Sequence, residues 1–254
     1  MAYMPHNHHF LWFAATMEGD SKLATEAGKN VAKMVDPAMM REPGMGKLQH
    51  FSVVPLFTMI RFGQWDEILA TPQPDADLKY PTGVWHYARG LAFAAQGKIT
   101  EAKQELEALD LLSHDSELET VTIWDINTTQ DILKVATEVL TGEIAAKEGK
   151  YHRAIAHLRQ AVKLEDALNY NEPADWSTPV RQYLGAALLK AKRYDAAEQV
   201  YREDLAIYSN NGWSLYGLAQ SLQAQSKDSE ADNIQQKFDS AWQYADVRLT
   251  ASKF

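Results

Sequence analysis

Apolar residues recur along the chain at the spacing of one helix face, as in Leu184, Ala187, Leu188 and Ala191. Only 13 glycines and 9 prolines interrupt these stretches. Alternating strand patterns are nearly absent. The most strand-like run is residues 118–126, and because an isolated strand has nothing to pair with, we expect a short helix or an ordered loop there. The pattern predicts an all-α fold.

A helix, a tight turn and a second helix recur at residues 90–102, 142–154 and 185–197. The turn positions, extended to the whole chain, are Gly19, Gly63, Gly97, Gly149, Lys192 and Ser226. Two of the five separations between them are 34 residues. Five positions after the turn residue, alanine occurs in five of the six units, at Ala24, Ala102, Ala154, Ala197 and Ala231. Such a small residue lets the two helices of a unit approach closely.

The spacing and the small residues resemble those of tetratricopeptide repeats (TPR). The segments at residues 5–11 and 171–189 are also similar to a group of bacterial TPR proteins without assigned activity, and the similarity covers essentially the whole chain. Members of that group are longer, with another helical half upstream, so this chain resembles their C-terminal half. The resemblance implies a right-handed α-solenoid with a concave groove.

The predicted solenoid has six helical hairpins in a single helical-repeat domain over residues 1–254. They occupy residues 6–35, 47–71, 81–112, 129–165, 177–208 and 211–246. Three insertions, at residues 36–46, 113–127 and 166–176, exceed the repeat length. Insertions in a repeat array usually lie on one face, which is often the binding face.

Charge and composition exclude several classes of function. The chain of 254 residues has 25 Lys and Arg against 34 Asp and Glu, and its net charge of -9 argues against a nucleic-acid partner. The absence of cysteine excludes disulfides and thiolate metal sites. No apolar run approaches the roughly 18 residues of a membrane span, and residues 1–6 lack a signal-peptide pattern. We expect a cytoplasmic protein with no cofactor and no membrane partner.

His6, His8 and His9 form the most metal-like cluster, but a metal site needs three or four ligands with supporting carboxylates, and no such motif is present. We therefore expect no metal, with the histidines at a helix start, where Asn7 is a plausible cap. They either pack there or contact a ligand.

The segment of residues 170–181 has the densest mix of aromatic, acidic and cationic side chains. Trp176 offers apolar contact, and Arg181 offers a bidentate fork for a carboxylate. Alternatively the loop is only rigid, with Arg181 paired to Glu172 or Asp175 and with Ser177 or Thr178 capping the next helix. Other candidates are aromatic or polar residues of loops and inner helices. The full binding set is His6, His9, His50, Tyr87, Trp124, Glu172, Asp175, Trp176, Arg181, Gln182, Trp213 and Tyr216.

These features predict a scaffold that binds a protein or peptide in the concave groove. A terminal hairpin with an uncovered apolar face also predicts a homodimer through the first hairpin. Two alternatives stay open, a small-molecule or metal-binding sensor pocket and an all-α carbohydrate-active enzyme using Glu172 or Asp175. We expect no enzyme, because the sequence contains no nucleophile elbow, phosphate loop or nucleotide fingerprint.

Overall fold

The structure is a computed structural model that describes residues 3–254. The predicted all-α class is confirmed, since helices make up 70% of the chain. In chain order, the helices α1 to α12 within this range are Tyr3–Glu18, Ser21–Lys33, Gly46–Arg61, Trp65–Ala70, Lys79–Ala95, Ile99–Ser113, Thr129–Lys147, Tyr151–Asp166, Val180–Lys190, Tyr194–Ile207, Gly212–Gln223 and Asp228–Ala241. Two short strands are β1, Thr122–Ile123, and β2, Asn127–Thr128.

The six predicted turn positions all have a left-handed backbone, with φ between 58° and 79°. Four of them are glycine, which adopts this conformation without steric cost. At Gly97 the backbone N–H donates to the Ala94 carbonyl oxygen (3.1 Å), and the Lys98 N–H donates to Phe93 (2.8 Å). This pair of bonds is a Schellman cap, which ends one helix and redirects the chain into the next.

Each odd-numbered helix packs against the even-numbered helix that follows it, and each even-numbered helix from α2 to α10 also contacts the next odd-numbered helix. Small residues make this packing close. Ala154 in α8 and Ala197 in α10 are fully buried. Gly185 in α9 and Gly217 in α11 face the ring of Tyr201 in α10, and a Cβ atom at either glycine would lie about 2.2 to 2.3 Å from a ring carbon.

Ala154→Leu and Ala197→Leu are each expected to lower the free energy of unfolding by about 1 to 3 kcal/mol, because the extra methylenes have no space to occupy. Urea denaturation measures this difference. Ala206→Leu is the matched control, since Ala206 is exposed on the same helix as Ala197. Unchanged midpoints for both buried variants would contradict the packing described above.

The first and last hairpins contact each other through hydrogen bonds. The Trp213 indole N–H donates to the Thr16 carbonyl oxygen (3.0 Å). The Asp246 backbone N–H donates to the Gly19 carbonyl oxygen (3.2 Å), and the Asp246 carboxylate accepts from the Ser21 N–H (2.8 Å). Residues that are about 200 positions apart in sequence therefore meet.

The last helix, α12, ends at Ala241, five residues before the predicted end of the sixth hairpin at residue 246. Beyond the helix, the chain turns so that the Trp242 indole N–H donates to the Val247 carbonyl oxygen, five residues further along (3.0 Å). Further along, Ser252 is buried and its hydroxyl donates to the Gln182 carbonyl oxygen (2.7 Å), whereas Phe254 stays exposed with its ring 5.8 Å from that of Trp213. Ser252 therefore covers part of α9, at Gln182, which is one of the predicted binding residues.

The expectation for residues 118–126 was partly wrong. Residues 116–119 form a 3-10 helix, but β1 then pairs with β2 in antiparallel register, Thr122 opposite Thr128 and Ile123 opposite Asn127. The partner strand lies only three residues further along the chain. Trp124 and Asp125 form the turn between the strands, both with positive φ, as tight hairpins require.

The first hairpin exposes Met4, Leu11 and Met34. Self-association through this hairpin stays a prediction. Within residues 3–254, no helix combines the length and apolar character that a membrane crossing requires.

Candidate functional site

The loop between α8 and α9, residues 167–179, is fixed to the insertion between α6 and α7. Asp175 is buried, and its two carboxylate oxygens accept hydrogen bonds from the side-chain amides of Asn127 and Asn171, at 2.8 Å each. Asn127 also accepts from the Asn169 backbone N–H (2.8 Å). Two of the three predicted insertions therefore form one continuous surface.

Trp176 anchors this loop from the inside. Its ring is buried, 6.2 Å from that of Phe57 and 5.5 Å from that of Tyr87. Its indole N–H has no hydrogen-bond partner among residues 3–254. Trp176 and Tyr87, both predicted binding residues, are thus part of the interior packing, although Trp176 also reaches the wall of the cleft described next.

A cleft of about 410 Å³ lies between this loop, α1 and the end of α10. Its walls carry aromatic, aliphatic, amide and carboxylate groups. The lining residues are Phe10, Phe13, Asn127, Glu165, Leu168, Asn169, Tyr170, Asn171, Glu172, Pro173, Ala174, Asp175, Trp176, Ile207 and Tyr208. The cleft brings together Glu172, Asp175 and Trp176 of the predicted set.

An aromatic surface continues from the cleft along α1. Phe10 is exposed at the edge of the cleft, and its ring packs edge-on against His6, with 4.7 Å between centroids. His6 in turn lies 6.2 Å from Trp124, over whose ring the Lys47 ammonium lies at 4.9 Å. His6 and Trp124, both predicted binding residues, therefore adjoin the cleft through Phe10.

Glu165 is the most perturbed carboxyl group in the cleft wall. It is half-buried at the end of α8, and its oxygens accept from the Val180 backbone N–H at the start of α9 (3.1 and 3.2 Å). Burial, together with the negative charge of Asp204, raises the pKa of Glu165 to about 8. The Val180 N–H and the nearby Arg181 only partly oppose this rise. At neutral pH the group is therefore mainly protonated.

Two local expectations for this segment were wrong. Arg181 pairs with Asp166 through two hydrogen bonds (2.7 and 2.8 Å), not with Glu172 or Asp175. Ser177 and Thr178 do not cap α9, because Pro179 occupies the cap position and Glu165 accepts the first free N–H of the helix instead. Glu172 is exposed and accepts a hydrogen bond from the Tyr170 hydroxyl.

Gln182 and Trp213 lie in a buried polar network rather than on an open surface. The Arg61 guanidinium donates to the Gln182 amide oxygen (2.7 Å) and stacks over the Trp213 ring at 3.7 Å. The Gln182 amide nitrogen donates to the Asp204 carboxylate (3.2 Å). Burial lowers the pKa of Arg61 to about 9, so the guanidinium stays charged at neutral pH.

The remaining predicted residues pack internally. His9 is buried against Trp12 (5.1 Å between ring centroids), and burial lowers the pKa of its imidazole, with further contributions from His50 and His6. His50 is buried and shares a hydrogen bond with the Tyr80 hydroxyl (2.8 Å). Tyr216 packs on Phe238. Across the described chain, no three His, Cys, Asp or Glu residues are grouped so as to hold a metal ion. Asn7 lies within α1, which begins at Tyr3, and does not cap it.

Sequence reasoning missed Glu165, Tyr208 and Ile207. The sequence did contain one indication of Glu165. Glu165 and Asp166 place two carboxylates in the last turn of a predicted helix, where the backbone dipole disfavours negative charge. Tyr208 and Ile207 gave no signal, because their place in the cleft depends on the approach of α1 to α10.

Glu165→Gln is expected to raise the melting temperature at about pH 9 and leave it nearly unchanged at about pH 4. The pKa of Glu165 is higher in the folded protein (about 8) than its ordinary value of 4.5, so its contribution to stability is present below pH 4.5 and is lost as pH rises through 8. Glutamine keeps the acceptor for Val180 without ionising. Thermal melts at both pH values test this, with Glu107→Gln as the exposed control. A parallel pH dependence of wild type and Glu165→Gln would contradict the assignment.

Comparison of the sequence with protein-family models finds no match, and comparison with curated proteins finds no similar chain.

Proposed function

We propose that this chain is a protein- or peptide-binding scaffold built from six TPR-like helical hairpins in a right-handed solenoid. The turn spacing, the left-handed turn residues and the alanine and glycine contacts between helices support the arrangement. We also propose that the chain is related to the bacterial TPR proteins that it resembles, and that it is cytoplasmic.

The observation that carries the proposal is the cleft between α1, the α8–α9 loop and the end of α10. Its loop is held by buried hydrogen bonds at Asp175, so the binding surface is formed before a ligand arrives. Tyr170 and Ile207 are exposed at the cleft, where a partner can bury them. The interior is a poorer candidate, because the buried Ser252 and the Arg61 network occupy it.

A small-molecule pocket is the second candidate, because about 410 Å³ lies within the usual range for such sites. The enzyme alternative has less support. Both oxygens of Asp175 accept amide hydrogen bonds that hold the loop, so neither is placed to act on a substrate. Nucleic acid is also disfavoured, since the carboxylates of the cleft would repel phosphates.

Selection of short random peptides on the immobilised full chain tests the peptide proposal. We expect enriched peptides that bind at one saturable site and compete with one another. Failure to enrich any peptide, together with thermal stabilisation by members of a small-molecule library, would favour the second candidate and contradict the first.

A further inference from the structure

The charged residues that line the cleft are all acidic. Three carboxyl groups line it, those of Glu165 and Glu172 and the buried, hydrogen-bonded one of Asp175, whereas no lysine, arginine or histidine is among its lining residues, all of which lie in the described range. The nearby Arg181 is already paired with Asp166 and lies 3.7 Å from the Glu203 carboxylate. A ligand that enters the cleft therefore meets carboxyl groups without a free protein cation.

The same walls offer aromatic faces. Phe10, Phe13, Tyr170, Trp176 and Tyr208 all line the cleft, and the rings of Phe13 and Tyr208 lie 6.3 Å apart. Aromatic faces attract cations through the ring quadrupole, and the attraction strengthens when the cation is desolvated. Ammonium and guanidinium groups bind well where carboxylates and aromatic faces occur together, because the first accept their hydrogen bonds and the second attract their charge.

Glu165 shares its one nearby cation, Arg181, with Asp166. Its carboxyl is partly withdrawn from water next to Asp204 and Asp166, and Arg181 is engaged by Asp166. An isolated ionised carboxylate in such a place is unfavourable, and a cation from the ligand would remove the penalty.

We propose that the cleft binds the cationic side chain of an arginine or lysine in a peptide partner. This inference rests on the proposed peptide-binding function and specifies the chemistry that the site recognises. The guanidinium or ammonium group lies beside Glu165, and its alkyl stem packs between the aromatic side chains.

Binding is then coupled to the protonation of Glu165. The groups that influence its charge are Asp166 of α8, Arg181 of α9, and Asp204 and Tyr208 of α10. A bound cation favours the ionised carboxylate, so binding releases a proton whenever Glu165 is protonated in the free protein. Affinity for a cation is therefore expected to rise from about pH 6 to pH 8, by up to about tenfold per pH unit, and to level off above the pKa of about 8.

Three matched probes test the inference on the full chain by NMR titration. They are N-acetylarginine methylamide, its neutral citrulline analogue and its acidic glutamate analogue. We expect the arginine probe to bind at least about tenfold more tightly than the citrulline probe at pH 8, and the glutamate probe to bind most weakly. Glu165→Gln should bring the affinity for arginine down to that for citrulline and abolish its pH dependence, whereas Glu107→Gln should change neither.

Equal affinity for the arginine and citrulline probes would overturn the cation assignment. Peptides that bind the cleft without any need for arginine or lysine would overturn it as well, and would leave the peptide-binding function standing. If arginine peptides bind no more tightly than n-butylguanidine, the site recognises a guanidine group alone. The proposal that the cation belongs to a peptide would then be wrong. Failure of all peptides at the cleft would instead contradict the proposed function itself.

Discussion

Trp213→Ala should lower the free energy of unfolding by about 3 to 5 kcal/mol, the range for deleting a fully buried large aromatic ring. Trp213 joins α11 to α1 through its bond to the Thr16 carbonyl oxygen and supports the charged guanidinium of Arg61. The substitution leaves a cavity and also removes the ring that shields a buried charge. Urea denaturation would report the loss as a lower midpoint.

Trp124→Ala is the matched control, because Trp124 is half-buried on the insertion and does not join the two ends of the array. Its expected cost is about 1 kcal/mol, typical of single substitutions. Equal midpoints for the two variants would show that contact between the first and last hairpins adds little to stability.

The double variant Tyr170→Ala and Ile207→Ala should weaken binding of a selected peptide by about 2 to 4 kcal/mol, which is roughly thirtyfold or more. Both side chains are mostly exposed in the free protein, at 80% and 57%, and line the cleft. Their removal therefore takes contact area from the complex and little packing from the fold. Isothermal titration calorimetry measures the first effect and thermal melting the second.

Tyr244→Ala and Leu111→Ala together form the control for that variant. Tyr244 and Leu111 are comparably exposed, at 70% and 77%, and neither lines the cleft. The control should bind the peptide as tightly as the wild type. A similar loss of affinity in both double variants would mean that peptides adhere to exposed apolar residues in general.

The turns of the fold were predictable because their signal is local. A helix that ends and reverses within a few residues needs a left-handed position, and glycine provides it at Gly97 and Gly149. Lys192 and Ser226 have the same conformation without being glycine, and they were located only through the repeat spacing. The helix pairs followed from the same periodicity.

The cleft was only partly predictable. The loop at residues 170–176 stood out by composition, but Phe10 and Tyr208 reach it from opposite ends of the chain. That meeting depends on contact between α1 and the end of α10, which are distant in sequence, and such a contact leaves no periodic trace. The β1–β2 pairing was missed for a related reason, since two-residue strands are too short to show alternation.

The location of bound peptide is the most direct test of the account. Backbone amide and tryptophan indole NMR signals of the full chain can be followed while a selected peptide is added. If the peptide binds in the cleft, the largest shifts should occur at residues 168–174, at Ile207 and Tyr208, and at the Trp176 indole. Shifts that cluster at α12 or at the outer residues of α6, with the cleft unchanged, would contradict it.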